Sequence, residues 1–227
     1  MGLSVCAFVP DGIVIASDSL AEIRHQDDGF YQEGFQRLYS VNNRFLVAFE
    51  GPCFHQGLPL SFYLTPLFKR TWSEETVVDF SRSLILELEK ILSEEIYVLY
   101  VAGYEVRGNG IAPAVALIHN KEVSLINQDS VGNPVYNYHA IGRTYWVNKL
   151  LMNTQAVLDE EHISFQKYEI DFSKFSLVTA KDFVLSLASL SEKMDHFSQL
   201  KPIIGGQFLV GIVKPYEGVS VSFNKPF

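Results

Sequence analysis

The chain has 227 residues, is 48% hydrophobic and 19% charged, and carries a formal net charge of -8. This is the composition of one globular domain, residues 1–227, long enough for a substantial core and without a linker. An acidic chain with no run of Lys or Arg lacks the cationic surface that displaces counterions from nucleic acid, which excludes that partner. No apolar stretch reaches the roughly 20 residues of a membrane helix, and no basic segment with an apolar core opens the chain as a secretory signal does; the expectation is a cytoplasmic protein with no membrane role.

Residues 3–9 and 12–17 read as paired strands, because Asp11-Gly12 between two β-rich runs is a strong hairpin signal and Gly12 can take φ > 0 at no steric cost. Alternation along the first strand puts Gly2, Ser4 and Cys6 on one face and Leu3, Val5 and Ala7 on the other, which aims the chain start into the fold. Met1-Gly2 is similar to the opening of an acylation signal, but that motif takes Ser or Thr where Cys6 stands. Cys6 and Cys53, the only cysteines, are too few for a disulfide framework and sit among apolar neighbours, where a reduced thiol behaves as a small hydrophobe.

Residues 21–34 are polar, punctuated by glycine and without a period, and read as a long loop. Residues 35–40 alternate into a strand, Asn42-Asn43 makes a tight turn, and residues 45–49 form an apolar run suited to a strand buried on both faces. Gly51-Pro52 ends that strand. Pro59 and Pro66 interrupt any helix before Thr71 or make it begin after a proline. Thr71-Trp72-Ser73-Glu74 fits a capping box, and Val77, Phe80, Leu84, Leu88 and Ile91 recur at three- and four-residue steps, which predicts an amphipathic helix over residues 74–94.

Strands follow over residues 97–104, 114–119 and 123–127, an antiparallel meander with turns at Gly108-Asn109-Gly110 and Asn120-Lys121. The glycine turn lacks the Lys-Ser/Thr of a phosphate loop and opens no helix, so no nucleotide cofactor is expected. Residues 144–158 are helical by pattern, and residues 159–176 show no assignable period. Thr179 caps a further helix with Phe183, Leu187, Leu190 and Met194 on one face. Residues 207–213 and 219–223 are strands around a Glu217-Gly218 turn. This order does not alternate as a doubly wound sheet requires; it fits layered antiparallel sheets with helices outside.

His25, His55, His119, His139, His162 and His196 show no paired metal-ligand spacing, so no metal is expected and none of them has an identified partner. Glu22, Asp27 and Asp28 read as solvated acidic surface. Tyr136, Tyr138, Tyr145 and Trp146 read as core or subunit contacts.

Several stretches resemble one family. The segments are Ile13-Val14-Ile15-Ala16-Ser17-Asp18-Ser19 after the Asp-Gly pair, Arg44-Phe45-Leu46-Val47-Ala48-Phe49-Glu50-Gly51, Val101-Ala102-Gly103-Tyr104-Glu105, Ala140-Ile141-Gly142 and Ile204-Gly205-Gly206-Gln207-Phe208-Leu209-Val210-Gly211. They are similar to segments of proteasome β-type subunits and their bacterial proteasome-like relatives, in the N-terminal-nucleophile (Ntn) hydrolase superfamily. Each motif is short; their order and spacing over nearly the whole chain carry the resemblance. It implies an α+β fold of four layers, αββα, with two stacked antiparallel sheets between helical layers, and self-association into rings or helical arrays.

In catalytic members of that family an N-terminal Thr is the nucleophile and its amine part of the base, a Lys assists proton transfer, and an Asp positions the Lys. Matched onto this chain, the nucleophile slot falls on Gly2, which has neither hydroxyl nor thiol. The lysine slot falls on Arg37, whose guanidinium keeps its proton. The aspartate is kept as Asp18, expected to pair with Arg37. The serine after the Ile-Gly pair matches Arg143, and the Asp and Ser before the later Gly-Gly match Lys201 and Ile204.

The resemblance thus implies a proteasome-like pseudoenzyme: a structural, assembly or binding subunit, a homo-oligomer without cofactor, and related to proteolysis by descent. Arg37, Arg143 and Lys201 together would make the former site basic, fit for an anionic small molecule or a partner's C-terminal carboxylate. The alternative is an active peptidase or amidase processed to Ser4 or Cys6. Both share the face of Gly2, but cutting there draws the new terminus back by roughly 6.5 to 13 Å at about 3.3 Å per residue. A third reading keeps the fold and shifts the alignment at the terminus by a few residues.

Overall fold

The opening hairpin sets the frame. In the computed structural model, which describes residues 2–25, 28–32, 34–93, 95–107, 110–151, 154–159, 162–167, 170–198 and 204–224, β1 (Leu3–Val9) and β2 (Gly12–Ser17) pair antiparallel from Ser4↔Ser17 to Val9↔Gly12. The strand bounds are those the sequence predicts, 3–9 and 12–17, with Pro10-Asp11 as the loop, but Gly12 lies in β2 and takes no positive φ. Its missing side chain serves close packing instead: a Cβ there would stand 2.8 Å from the Val213 carbonyl oxygen.

The long loop expected over residues 21–34 contains a hairpin, β3 (Ala21–His25) with β4 (Asp28–Gln32). The ribbon belongs to neither large sheet, and strands that pair only with each other need no alternating apolar face, the signal by which strands are read. β5 (Leu38–Val41) passes through Asn42 and Asn43, both at φ 53, into β6 (Phe45–Glu50), buried at every position. Asn tolerates the left-handed conformation such tight connections demand. A small hairpin, β7 (Phe54–His55) with β8 (Leu58–Pro59), precedes α1 (Ser61–Lys69), which begins after Pro59 and holds Pro66 within it.

The next helix, α2 (Val77–Ile91), starts later than residue 74 because Thr76 caps it in place of Thr71: the Asp79 amide donates to the Thr76 hydroxyl at 3.0 Å. The meander is β9 (Val98–Arg107), β10 (Gly110–His119) and β11 (Glu122–Leu125), with Asn120 and Lys121 at φ 51 and 66 in the two-residue turn. Pattern reading missed β12 (Asn137–Gly142). The helix expected over residues 144–158 is only α3 (Tyr145–Leu150); β13 (Thr154–Asp159) and β14 (His162–Lys167) follow as a hairpin. A short apolar run such as residues 156–158 satisfies helix and strand patterns alike.

After a 3-10 turn (Phe172–Lys174) comes α4 (Leu177–Phe197), whose cap is Ser176 and not Thr179: the Thr179 amide donates to Ser176 Oγ at 3.2 Å. Its buried face runs through Ala180, Val184, Leu187, Ala188 and Ser191, so of the expected stripe Leu187 lies on it while Leu190 is 47% exposed. β15 (Phe208–Lys214) and β16 (Gly218–Asn224) end the chain's described part.

Two five-stranded antiparallel sheets result, in the orders β12-β1-β2-β15-β16 and β11-β10-β9-β6-β5. Their inner faces meet through Cys6, Phe8, Ile15, Leu46, Tyr100 and Leu209. The outer face of the first sheet packs Leu3, Val5 and Val14 against Val147 of α3 and Val184 and Ala188 of α4. That of the second packs Phe45 and Val101 against Leu64 of α1 and Phe80 and Leu84 of α2. The Phe45 and Phe80 rings stack at 4.6 Å, a pairing worth about 0.5–1.5 kcal/mol beyond the area it buries. The molecule is the α+β αββα sandwich that the resemblance implies.

Candidate functional site

Alternation along β1 decides what the site contains. Leu3, Val5, Ala7 and Val9 point to the α3/α4 layer, so Gly2, Ser4 and Cys6 face the space between the sheets. Ser17 opposes Ser4 across the β1–β2 pair, β2 then delivers Asp18, and β6 delivers Glu50 from the second sheet. All of these residues are buried.

The start of the chain is clamped on both sides. The Gly2 nitrogen donates to Glu50 Oε2 at 2.9 Å and the Leu3 amide to Asp18 Oδ1 at 3.0 Å. The Gly2 carbonyl accepts from the Arg143 amide at 2.7 Å. That approach requires glycine at position 142, which has φ +83 and where a Cβ would overlap the Gly2 oxygen. The Gly205 amide donates to Asp18 Oδ2 at 3.2 Å, tying the last Gly-Gly stretch to the same carboxylate.

Arg37 sits between the two carboxylates, 3.3 Å from Asp18 Oδ1 through Nε and 3.2 Å from Glu50 Oε2 through Nη1. The Nε contact is an ion pair outside hydrogen-bonding geometry. Nη2 donates to the Leu20 carbonyl at 2.8 Å and lies 3.5 Å from Cys53 Sγ. Cys53 is therefore half-buried beside a guanidinium and not simply among apolar neighbours. Burial, together with the Glu50 carboxylate, pushes the Asp18 carboxyl up to about 7, and the Arg37 guanidinium pulls the other way.

Ser4 Oγ lies 2.8 Å from Ser17 Oγ and donates to Glu50 Oε1 at 2.7 Å. A hydroxyl on a carboxylate is a nucleophile–base pairing in outline, but Ser4, Ser17 and Glu50 are all fully buried. Burial also pushes the Cys6 thiol well up, away from the thiolate that would react. Gly2 has hydrogen where a side chain would be, and a Cβ built on it would stand 2.7 Å from Asp18 Cγ. The Asp18 carboxylate thus fills the volume a side chain at position 2 would need.

Of the residues singled out in the sequence, the structure gathers Gly2, Asp18, Arg37, Ser4 and the Arg143 backbone into one cluster. The Arg143 side chain is half-buried and makes no ion pair among the described residues. Ile204 is buried, its amide 3.4 Å from Asp195 Oδ2. Lys201 lies outside the described residues. Glu50, which the sequence shows only as the acidic end of an apolar strand, touches Gly2, Ser4 and Arg37. With it counted, the described part of the site holds two carboxylates around one guanidinium, where three cations were expected. His139, read as partnerless, shares a 2.6 Å hydrogen bond with the buried Tyr100 hydroxyl, linking β12 to β9 across the sheets. Two cavities of about 230 and 260 Å³ share no residue with the Gly2 cluster.

Among solved structures, the chain is similar to Anbu from Hyphomicrobium sp. strain MC1, at 14% identity and TM-score 0.63 over 99% of this chain and 87% of that one. It is similar to Anbu (ancestral beta-subunit) from Yersinia bercovieri at 14% identity and TM-score 0.60, over 98% of this chain and 87% of that one. The helical assembly of the Anbu complex from Pseudomonas aeruginosa gives 13% identity and TM-score 0.66, over 98% and 85%. At such identities the likeness establishes the fold, that of a proteasome β-like protein. By sequence, no family model and no curated protein matches the chain.

Proposed function

We propose that this protein is a single-domain proteasome-β-like subunit, residues 1–227, that lacks threonine-type peptide hydrolysis and works in the cytoplasm as a structural, assembly or binding component. The observation that carries this reading is Gly2: no hydroxyl or thiol stands at the head of β1, and the carboxylate of Asp18 occupies the place of one. Arg37 supports it, since a guanidinium held by Asp18 and Glu50 cannot relay a proton. Self-association is supported by the similar fold that builds a helical assembly in the Pseudomonas aeruginosa Anbu complex. No described helix is long and apolar enough to cross a membrane.

An anionic small molecule or a partner's C-terminal carboxylate at this place would be left to Arg143 and Lys201, because Arg37 is already engaged by two carboxylates. Titration calorimetry with acetate, phosphate and a short peptide carboxylate tests that part; no heat from any of the three removes it. The main reading is tested by a broad panel of fluorogenic peptides and amides, run with light scattering on the same sample. Assembled protein without turnover supports it. Turnover that disappears in Ser4→Ala or Cys6→Ala would establish the alternative hydrolase.

A further inference from the structure

We propose that the cavity at the end of the sandwich remote from Gly2 is a binding site for a small aromatic carboxylate, held by Arg44, Lys214 and Tyr104. The cavity measures about 230 Å³ and lies where the start of β6, β9, the end of β15 and the β15–β16 turn meet. Arg44 stands just before β6, and Glu50, which holds the Gly2 nitrogen, ends that strand. About 20 Å of extended chain therefore separates the two places, at about 3.3 Å per residue.

Two turns, one from each sheet, fix the shape of the cavity. The Val219 amide donates to Asn43 Oδ1 at 3.0 Å, which ties the β15–β16 turn to the β5–β6 turn. Gly218, at φ +87, fits against them only because it lacks a Cβ, which would overlap the Asn43 side chain. A site shaped in advance loses less freedom on binding. Between the two turns Tyr216 is held at φ 64, a conformation that bulky side chains rarely adopt, and it is 90% exposed. A ring so exposed adds nothing to the core, and backbone strain of this kind gathers where ligands are clamped.

The lining selects the ligand. Arg44 Nη2 donates to the Glu75 carbonyl at 2.8 Å, but the guanidinium makes no ion pair among the described residues. Its planar fork matches a carboxylate. Lys214 is tied to Glu217 at 2.8 Å in a pair whose side chains are 42% and 68% exposed; such surface pairs are weak and screened, so the ammonium can turn to a bound anion. Tyr104 lines the same cavity and buries its hydroxyl without a hydrogen-bond partner, and a carboxylate oxygen is an acceptor for it. The buried Val213 and the rings of Tyr104 and Tyr216 add an apolar surface suited to a flat ring. Volume sets the size: an apolar cavity of about 150 Å³ admits benzene and drug-sized ligands take about 300 Å³ or more, so this one suits a single ring bearing a carboxylate. The site stands apart from the proposed function, which concerns the Gly2 end.

Titration calorimetry on the full chain tests the assignment with benzoate as probe and acetate and benzylamine as controls. Benzoate is expected to bind at least about tenfold more tightly than acetate, and benzylamine not to bind. Arg44→Gln is expected to weaken benzoate by about 10- to 100-fold, the range for losing a charge-assisted contact, while Arg143→Gln leaves its affinity unchanged. No heat from benzoate at about 10 mM, acetate or benzylamine bound as tightly, affinity kept in Arg44→Gln, or affinity lost in Arg143→Gln instead overturns the assignment. Arg44 is exposed, so the variant is expected to fold; if it does not, Lys214→Gln decides, with a several-fold loss expected and an unchanged affinity contrary. Failure here leaves the reading of the Gly2 end standing, because turnover and assembly are measured on other samples.

Discussion

The Asp18 carboxylate lies against the α-carbon of Gly2 so closely that a Cβ on Gly2 would be 2.7 Å from Asp18 Cγ. The carboxylate is not free to swing aside, because its oxygens accept from the amides of Leu3 and Gly205. Gly2→Thr should therefore fail to create a hydrolase. It should also destabilise the protein by about 1–3 kcal/mol or more, the cost of overpacking a closed site. Denaturant midpoints and the fluorogenic panel on the same variant check both halves; turnover by Gly2→Thr would show that the site is only one substitution from activity.

Glu50 holds the Gly2 nitrogen, the Ser4 hydroxyl and Arg37 at once. Glu50→Ala leaves all three buried and short of a partner, so a loss of about 3–5 kcal/mol is expected, the range for breaking a buried ion pair from one side. Ser4→Ala removes one neutral group from the network and should cost about 1 kcal/mol. Equal losses in the two variants would mean that Glu50 is not the centre of the network.

Asp18 gives stability a pH dependence whose sign follows from its raised carboxyl. An acid held at about 7 in the fold, against an ordinary 3.8, binds more protons folded than unfolded. Its contribution is fully present below 3.8 and is lost as pH rises through about 7. Unfolding midpoints between about pH 5 and 8 should fall more steeply with pH in the parent than in Asp18→Asn. Parallel profiles would remove Asp18 as the source.

The Tyr100–His139 hydrogen bond joins the two sheets. Tyr100→Phe strands the imidazole nitrogen in a site where burial already holds the His139 pKa low, and should cost about 1–3 kcal/mol. His139→Phe should reduce what Tyr100→Phe then costs, giving a coupling of about 0.5–3 kcal/mol in a double-mutant cycle. Strict additivity would show that the two groups act independently.

Strands were legible wherever burial on one or both faces wrote a pattern, as in Leu3–Val9 and Phe45–Glu50. β3 and β4 were not, because a ribbon outside the main sheets carries no such pattern. The two long helices were legible as helices, but their caps were misread: Thr76 and Ser176 stand within a few residues of equally good candidates, and tertiary packing chose between them. Gly2, Asp18 and Arg37 were reached through the family resemblance. Glu50 could have been reached from this chain's own residues. The Asn42-Asn43 turn fixes a register that brings Arg37 opposite Phe49, with the Phe49 amide donating to the Arg37 carbonyl at 2.9 Å. An acid next to Phe49, at the end of an otherwise apolar buried strand, has few other places to find a cation.

The most direct measurement is the intact mass of the purified full-length protein after exposure to an electrophile directed at hydroxyl and thiol nucleophiles, with any adduct mapped by digestion. No adduct within residues 2–6, and no residue lost beyond Met1, is the expected result. A stoichiometric adduct on Ser4 or Cys6, or a chain shortened to either of them, would show a working nucleophile at the head of β1 and contradict the reading of this site as closed.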